Sequence, residues 1–185
     1  MPAPSIPREE VVRRLLGCFQ AHGYDGASLA ELSKATGLGK SSLYHYFPGG
    51  KEDMARAVLD EIDRWMSVHA LGPLKGPGSP RQRLARMVAA LDGFYAGGRC
   101  ACVLGNLVVG DSRRLFQKRL RAAFAAWIDA LAELAVEAGQ SKAHARVWAQ
   151  DFVLGIEGAL VLARGLDDPV PFRRVMRRCL RTLVA

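Results

Sequence analysis

Residues 28–47 read SLAELSKATGLGKSSLYHYF, and this stretch decides how the rest of the chain is read. Ser28, followed three positions later by Glu31, has the form of a capping box. Its hydroxyl and carboxylate satisfy the orphan N–H groups at a helix start. Leu29, Leu32 and Ala35 give that helix one apolar face, and Gly37, able to take φ > 0, is placed to end it. The break falls at Gly37-Leu38-Gly39. In the helix that follows, Leu43 and Phe47 lie four apart and can dock beside Leu38, which leaves Lys40, Ser41, Tyr44 and His45 facing solvent. Two helices joined by a short glycine-containing turn form a helix-turn-helix, the unit whose second helix enters a DNA major groove.

The flanks extend the same logic. Upstream, Val11, Val12, Leu15, Leu16 and Phe19 recur at helical spacing through residues 8–22 and stop at Gly23, supplying a third helix to back the pair. Downstream, Met54, Val58, Leu59, Ile62, Trp65 and Met66 mark a connector helix over residues 51–70. The Gly- and Pro-rich LGPLKGPGSP predicts a loop over residues 71–80. Beyond it the periodicity predicts helices over about 81–96, 101–110, 112–138, 142–165 and 169–184, with Pro169 and Pro171 tolerated near the start of the last. Neither strand alternation nor an internal repeat appears. The expected fold is all-α: a three-helix helix-turn-helix DNA-binding domain over residues 1–50, then a larger helical effector-binding and dimerisation domain over residues 51–185.

Composition narrows the class without deciding it. The 185 residues are 50% hydrophobic with a mean hydropathy of +0.04, values of a globular chain. No apolar run approaches a membrane span, and MPAPSIPREE lacks the basic-then-apolar layout of a secretory signal, so a cytoplasmic protein with no membrane partner is expected. The net charge of +8 invites an argument for nucleic acid, but residues 1–70 hold 8 Lys/Arg against 9 Asp/Glu, leaving 18 against 9 in the remainder. The basic excess lies outside the proposed reading head. The DNA assignment therefore rests on the motif.

GLGKSSLYHYFPGGKEDM, with the preceding ASLAELSKATG and the helix at residues 7–22, resembles the N-terminal domain of TetR/AcrR-type transcriptional regulators. The L-Y-x-x-F core, the proline after it and the downstream Lys-Glu occur in the family's order. Further along, RCACVLGNLVVGDS resembles a Cys-Leu-Leu-Gly-Asn-Leu stretch of the LmrA/YxaF-like branch. The chain departs from the pattern at Gly39, where a Ser-type helix cap is common, and at FPGGKE, one residue longer than the usual F-x-x-K-E. The resemblance implies a repressor that binds a palindromic double-stranded DNA operator as a homodimer and is released by a small-molecule effector. It also implies DNA contacts at Ser28, Lys40, Ser41, Ser42, Tyr44, His45 and Tyr46, with Lys51 anchoring a phosphate at the start of the connector.

The body raises two further expectations. Helical bundles bind small molecules between facing helices, and the candidate lining is Trp65, Phe94, Tyr95, Cys102, Asn106, Phe116, Phe124, Trp127, Trp148 and Phe152. An occupant would shift the connector and change the separation of two reading helices. The last helix carries Phe172, Val175, Met176, Cys179, Leu180 and Leu183 on one face, while Gly155 and Ala159 lie one turn apart on the helix before it. Together these either form half of a four-helix dimer interface, as the resemblance implies, or close the monomer core.

Catalysis has little footing. His22, His45, His69 and His144 lack zinc-hydrolase spacing, there is no Gly-x-Ser-x-Gly, and GLGK lacks the strand and spacing of a phosphate loop. No catalytic residue, metal site or cofactor is expected. Cys18, Cys100, Cys102 and Cys179 are expected to be reduced thiols. Two alternatives stay open: a thiol- or metal-responsive regulator using Cys100 and Cys102, and a helical ligand-binding protein that does not bind DNA.

Overall fold

Apolar faces at helical spacing become helices throughout. The computed structural model describes residues 6–110 and 112–183, and every regular element among them is helical. The head consists of α1 (Arg8–Gly26), α2 (Leu29–Thr36) and α3 (Lys40–Tyr46). The connector α4 (Lys51–Trp65) leads into α5 (Gly72–Leu74), α6 (Pro80–Phe94), α7 (Val103–Val108), α8 (Ser112–Glu137), α9 (Lys142–Gly165) and α10 (Val170–Thr182). Residue 184, the expected end of the last helix, lies outside the described residues.

In the head, α1 packs on α2 and α4, and α2 packs on α3. Val11, Leu15, Leu32 and Leu43 are fully buried, with Phe19 and Phe47 almost so. A seven-residue helix such as α3 is far below the length that holds by itself in water. Burial of Leu43 and Phe47, each contributing about 1.5–3 kcal/mol, therefore keeps it folded.

The expected loop at residues 71–80 is shorter than composition suggests. After Trp65 the backbone widens into a π-helical turn, Met66–Leu71, and continues into α5. Gly72 donates its N–H to the Ser67 carbonyl, and a Cβ at residue 72 would lie 2.7 Å from that oxygen. The glycine thus admits a widened turn instead of breaking the helix, and buried Leu74 fixes its far end. α6 then opens on a complete capping box, Ser79 with Gln82. The signal S-x-x-Q was present in SPRQ. The box expected at Ser28 is half formed: Ser28 Oγ accepts from the Glu31 N–H at 3.2 Å, while the Glu31 carboxylate lies 3.9 Å from His22 Nε2.

In the body, α9 packs against both α8 and α10, and α10 also covers α6. Phe172, Met176 and Cys179 of α10 and Leu183 just after it are buried within the protomer, as is Ala159 of α9. A Cβ at Gly155 would meet the Val175 side chain at 3.3 Å, so the small residues serve the close approach of α9 to α10 inside one chain. These side chains therefore help to close the protomer core, one of the two expectations for them. An apolar stripe shows that a helix packs on something, but its spacing does not say on what.

Candidate DNA-binding site and cavities

The turn before α3 is held by side chains of α1 and α2. Gly37 takes the left-handed conformation (φ +72°) that ends α2. Thr36 Oγ1 donates to the Leu32 carbonyl at 2.7 Å and accepts from the Leu38 N–H at 3.3 Å. Ser33 Oγ donates to the Leu38 carbonyl, and Arg14 Nη1 of α1 donates to the Thr36 carbonyl at 2.8 Å. Arg14, Ser33 and Thr36 escaped the sequence reading. In sequence they are ordinary polar helix residues, and their partners are backbone groups of a turn whose path only the fold fixes.

With its anchors buried, α3 turns the remaining residues outward. Lys40, Ser41, Ser42, Tyr44 and His45 are all exposed, as is Ser28 at the start of α2. Gly39 caps α3 without a side chain, and its carbonyl accepts from the Leu43 N–H at 3.0 Å. The unusual residue therefore does not delay the helix. Tyr44 is 44% exposed, and its ring passes 3.3 Å from where a Cβ on Gly50 would sit. Gly50 has φ +71°, so the extra residue of FPGGKE makes a seat for that ring.

Two of the expected DNA contacts are placed differently. Tyr46 is half-buried and donates its hydroxyl to the Ile6 carbonyl at 2.6 Å, which commits it to tying the segment before α1 to α3. Lys51 is the first residue of α4, but its ammonium lies 4.5 Å from the centroid of the Tyr24 ring and 3.5 Å from the Asp25 carbonyl. Both side chains are engaged within the head.

Residues 15–58 match the family described as "Bacterial regulatory proteins, tetR family". Residues 81–178, over half the chain, match "Transcriptional regulator LmrA/YxaF-like, C-terminal domain". The chain belongs to the TetR family. Among curated relatives, the HTH-type transcriptional regulator LmrA of Bacillus subtilis is 24% identical over 175 residues, covering 91% of this chain and 92% of LmrA. A TetR transcriptional regulator from Legionella pneumophila superposes with a TM-score of 0.80 at 21% identity, covering 98% of this chain and 99% of that one. A cysteine mutant of the TetR-family regulator CifR, solved with a 26-base-pair double-strand operator DNA, superposes with a TM-score of 0.74 at 21% identity, covering 98% and 99%. The protein is thus a TetR-family transcriptional regulator with an N-terminal DNA-binding domain and a helical C-terminal domain of the LmrA/YxaF-like type.

The ten residues named as candidate lining in this TetR-family body are spread over the core and several separate cavities. Trp65 and Phe94 stack on each other, with ring centroids 4.2 Å apart. Buried Tyr95 donates its hydroxyl to Cys102 Sγ at 3.6 Å, and buried Phe116 meets the Tyr24 ring edge-on at 5.5 Å. Phe124 packs half-buried against the core. Trp127 lines a cavity of about 350 Å³ between α4, the π-helical turn, α7 and α8. Arg119 lies in its wall, paired at 2.6 Å with both Asp60 and Asp63. Trp148 and Phe152 line a third space of about 520 Å³ between α9 and α10.

Cys102 and Asn106 alone among the ten share a larger cavity, about 590 Å³, at the seam of head and body. Its walls are residues 22–26 at the end of α1, residues around α7, and Glu157 to Gly165 of α9. At Gly23 the backbone leaves helical geometry (φ 67°, ψ −177°), so carbonyls before it need outside donors. Asn106 Nδ2 donates to the Gln20 carbonyl at 3.1 Å and lies 3.4 Å from that of Phe19. Arg164 reaches the carbonyls of Gln20 and Ala21. Two body side chains therefore cap the last turns of a head helix.

Val147, Leu154, Val161 and Leu162 of α9 and Leu166 just after it are exposed, Leu154 at 68% and Val161, at the edge of the seam cavity, at 71%. Val147, Leu154 and Val161 recur every seven residues, a signal that was legible in the sequence as a second apolar face. Burial pushes the Cys102 thiol far up and that of Cys179 to about 11. Both are protonated and poor nucleophiles at neutral pH. No group of three or more His, Cys, Asp or Glu among the described residues is placed to hold a metal ion, and no helix among them is long and apolar enough to cross a membrane.

Proposed function

We propose that this regulator is a cytoplasmic repressor that binds a palindromic operator as a homodimer and releases it when a small-molecule effector enters the body. Residues 1–50 carry DNA binding. Residues 51–185 carry effector binding and dimerisation. The observation behind this reading is the outward row Lys40, Ser41, Ser42, Tyr44 and His45 on a helix anchored from behind by Leu43 and Phe47. Lys40 supplies a donor for a guanine edge or a phosphate, the serines permit close backbone approach, and Tyr44 and His45 reach sugar, thymine methyl or phosphate.

Two-fold binding follows from α9. An exposed apolar stripe of this kind on an otherwise charged protein is covered most economically by its own copy, which brings the same residues from the other side. Two such heads read half-sites about one helical turn apart or a multiple of it. The seams offer a route to release, because the cavity of about 590 Å³ abuts α1 and that of about 350 Å³ abuts α4. A hundredfold loss of operator affinity requires a coupling of about 2.7 kcal/mol, within reach of a ligand that binds the DNA-incompetent arrangement preferentially. Selection of bound sequences from random duplex DNA tests the reading: an inverted repeat is expected. Equal retention of all sequences would overturn it.

A further inference from the structure

Glu157 is out of place. It lies on α9 in the wall of the seam cavity, its Oε1 is buried without a hydrogen-bond partner among the described residues, and burial raises its pKa. Its Oε2 lies over Gly105, where a Cβ would stand 2.6 Å away. Gly105 belongs to the same cavity wall, so α7 has a gap in the place this carboxyl occupies. The Cys102 thiol is the carboxyl's hydrogen-bonding neighbour, a weak donor that leaves Oε1 without a partner, and a buried carboxyl so poorly satisfied costs stability.

The charges around it have a sign. Among the cavity's lining residues, Asp25 and Glu157 are acidic, and Arg164 is the one Lys or Arg. Arg164 is already spent on the carbonyls of Gln20 and Ala21. His22, also in the wall, lies 3.9 Å from the Glu31 carboxylate. In a chain of net charge +8, the cavity's lining thus carries two carboxyls against one guanidinium that is already engaged. The rest of its wall, including Tyr24, Ala101, Cys102, Val109 and Leu160, suits an apolar body.

We propose that the seam cavity binds a small, largely apolar molecule carrying a protonated amine, with the Glu157 carboxylate as its counter-ion. At about 590 Å³ the space falls within the ordinary range for small-molecule sites. The amine pairs with the Glu157 carboxyl where it lines the cavity, and the apolar body fills the space between α1, α7 and α9. Such an occupant sits against the joint that Asn106 and Arg164 hold, so it acts on the angle between head and body. That regulatory consequence rests on the repressor reading above; the binding chemistry does not.

The test is calorimetric titration of the full-length protein with tryptamine and with tryptophol, its neutral alcohol counterpart. A charge-assisted bond exceeds a neutral one by enough for about tenfold tighter binding of tryptamine. Glu157→Gln should bring the two affinities within about twofold while leaving tryptophol unchanged. Val109→Trp, at a rim position 72% exposed where a larger side chain does not disturb the core, should weaken both. Failure of tryptamine to bind, equal affinity for the pair, or a preference that survives Glu157→Gln would each overturn the proposal. Gel mobility with the selected operator separates the two readings. Amine preference in a chain that ignores every duplex keeps the site and removes the repressor. Loss of the preference in a chain that still binds its operator removes the site alone.

Discussion

Two faces of this molecule are exposed for opposite chemical reasons. The outward face of α3 is hydroxyl, imidazole, phenol and ammonium, on a helix seven residues long. The outward face of α9 is Val147, Leu154, Val161 and Leu162, on a helix of 24 residues. A polar face over buried anchors loses nothing in water and gains when it meets base edges and phosphates. An apolar face loses in water and gains by meeting another apolar face. Exposure alone does not name a partner; the chemistry of what is exposed does.

The contrast is sharpest under a double substitution, Leu154→Glu with Val161→Glu. Light scattering should report a monomer, and operator affinity should fall by about a hundredfold or more as the second head loses its tether. A dimer that survives would mean the stripe faces something else. Leu43→Ala attacks the other face from behind. Removing this fully buried side chain should cost about 2–5 kcal/mol by denaturant unfolding, abolishing operator binding while the protein remains dimeric. If dimerisation were lost as well, head and body would not be separable in function.

Smaller changes probe each face without unfolding it. Lys40→Ala should weaken operator binding about tenfold; a salt slope reduced by about one would assign the lysine to a phosphate, and an unchanged slope with relaxed sequence preference would assign it to a base. The smallest effect concerns Glu157. Burial raises its folded pKa from the ordinary carboxylate value, so the folded state holds the proton more tightly than the unfolded chain. Stability is then lost as pH rises from the ordinary carboxylate value through the raised one. Glu157→Gln removes that loss. Its melting temperature relative to wild type should climb as pH rises above about 4, and a flat difference would mean that the carboxyl is not strained.

The head was the more legible half. Ser28, Gly37, Leu43 and Phe47 announce caps, a stop and a docking face through local rules that act over four residues or fewer. Tyr46 and Lys51 read less well, because their partners, the Ile6 carbonyl and Tyr24, lie 40 and 27 positions away. In the body the same rules placed α8 and α9 closely, but left open what the apolar faces of α9 and α10 pack against. Phe172 and Met176 close the protomer, while Leu154 and Val161 are bare. On a helix apolar nearly all round, periodicity cannot rank one face over another.

By itself, then, the sequence determined which segments are helical, where the reading helix begins and which of its residues point outward, since each depends on the backbone period and on neighbours within a turn. Tertiary structure decided the rest: the side-chain bonds of Arg14, Ser33 and Thr36 that fix the turn, the division of apolar faces between core and surface, and the meeting of Glu157 with Gly105 at the seam. These are contacts between residues distant in the chain. They exist because helices pack in three dimensions, and a one-dimensional pattern carries the propensity to pack without the identity of the neighbour.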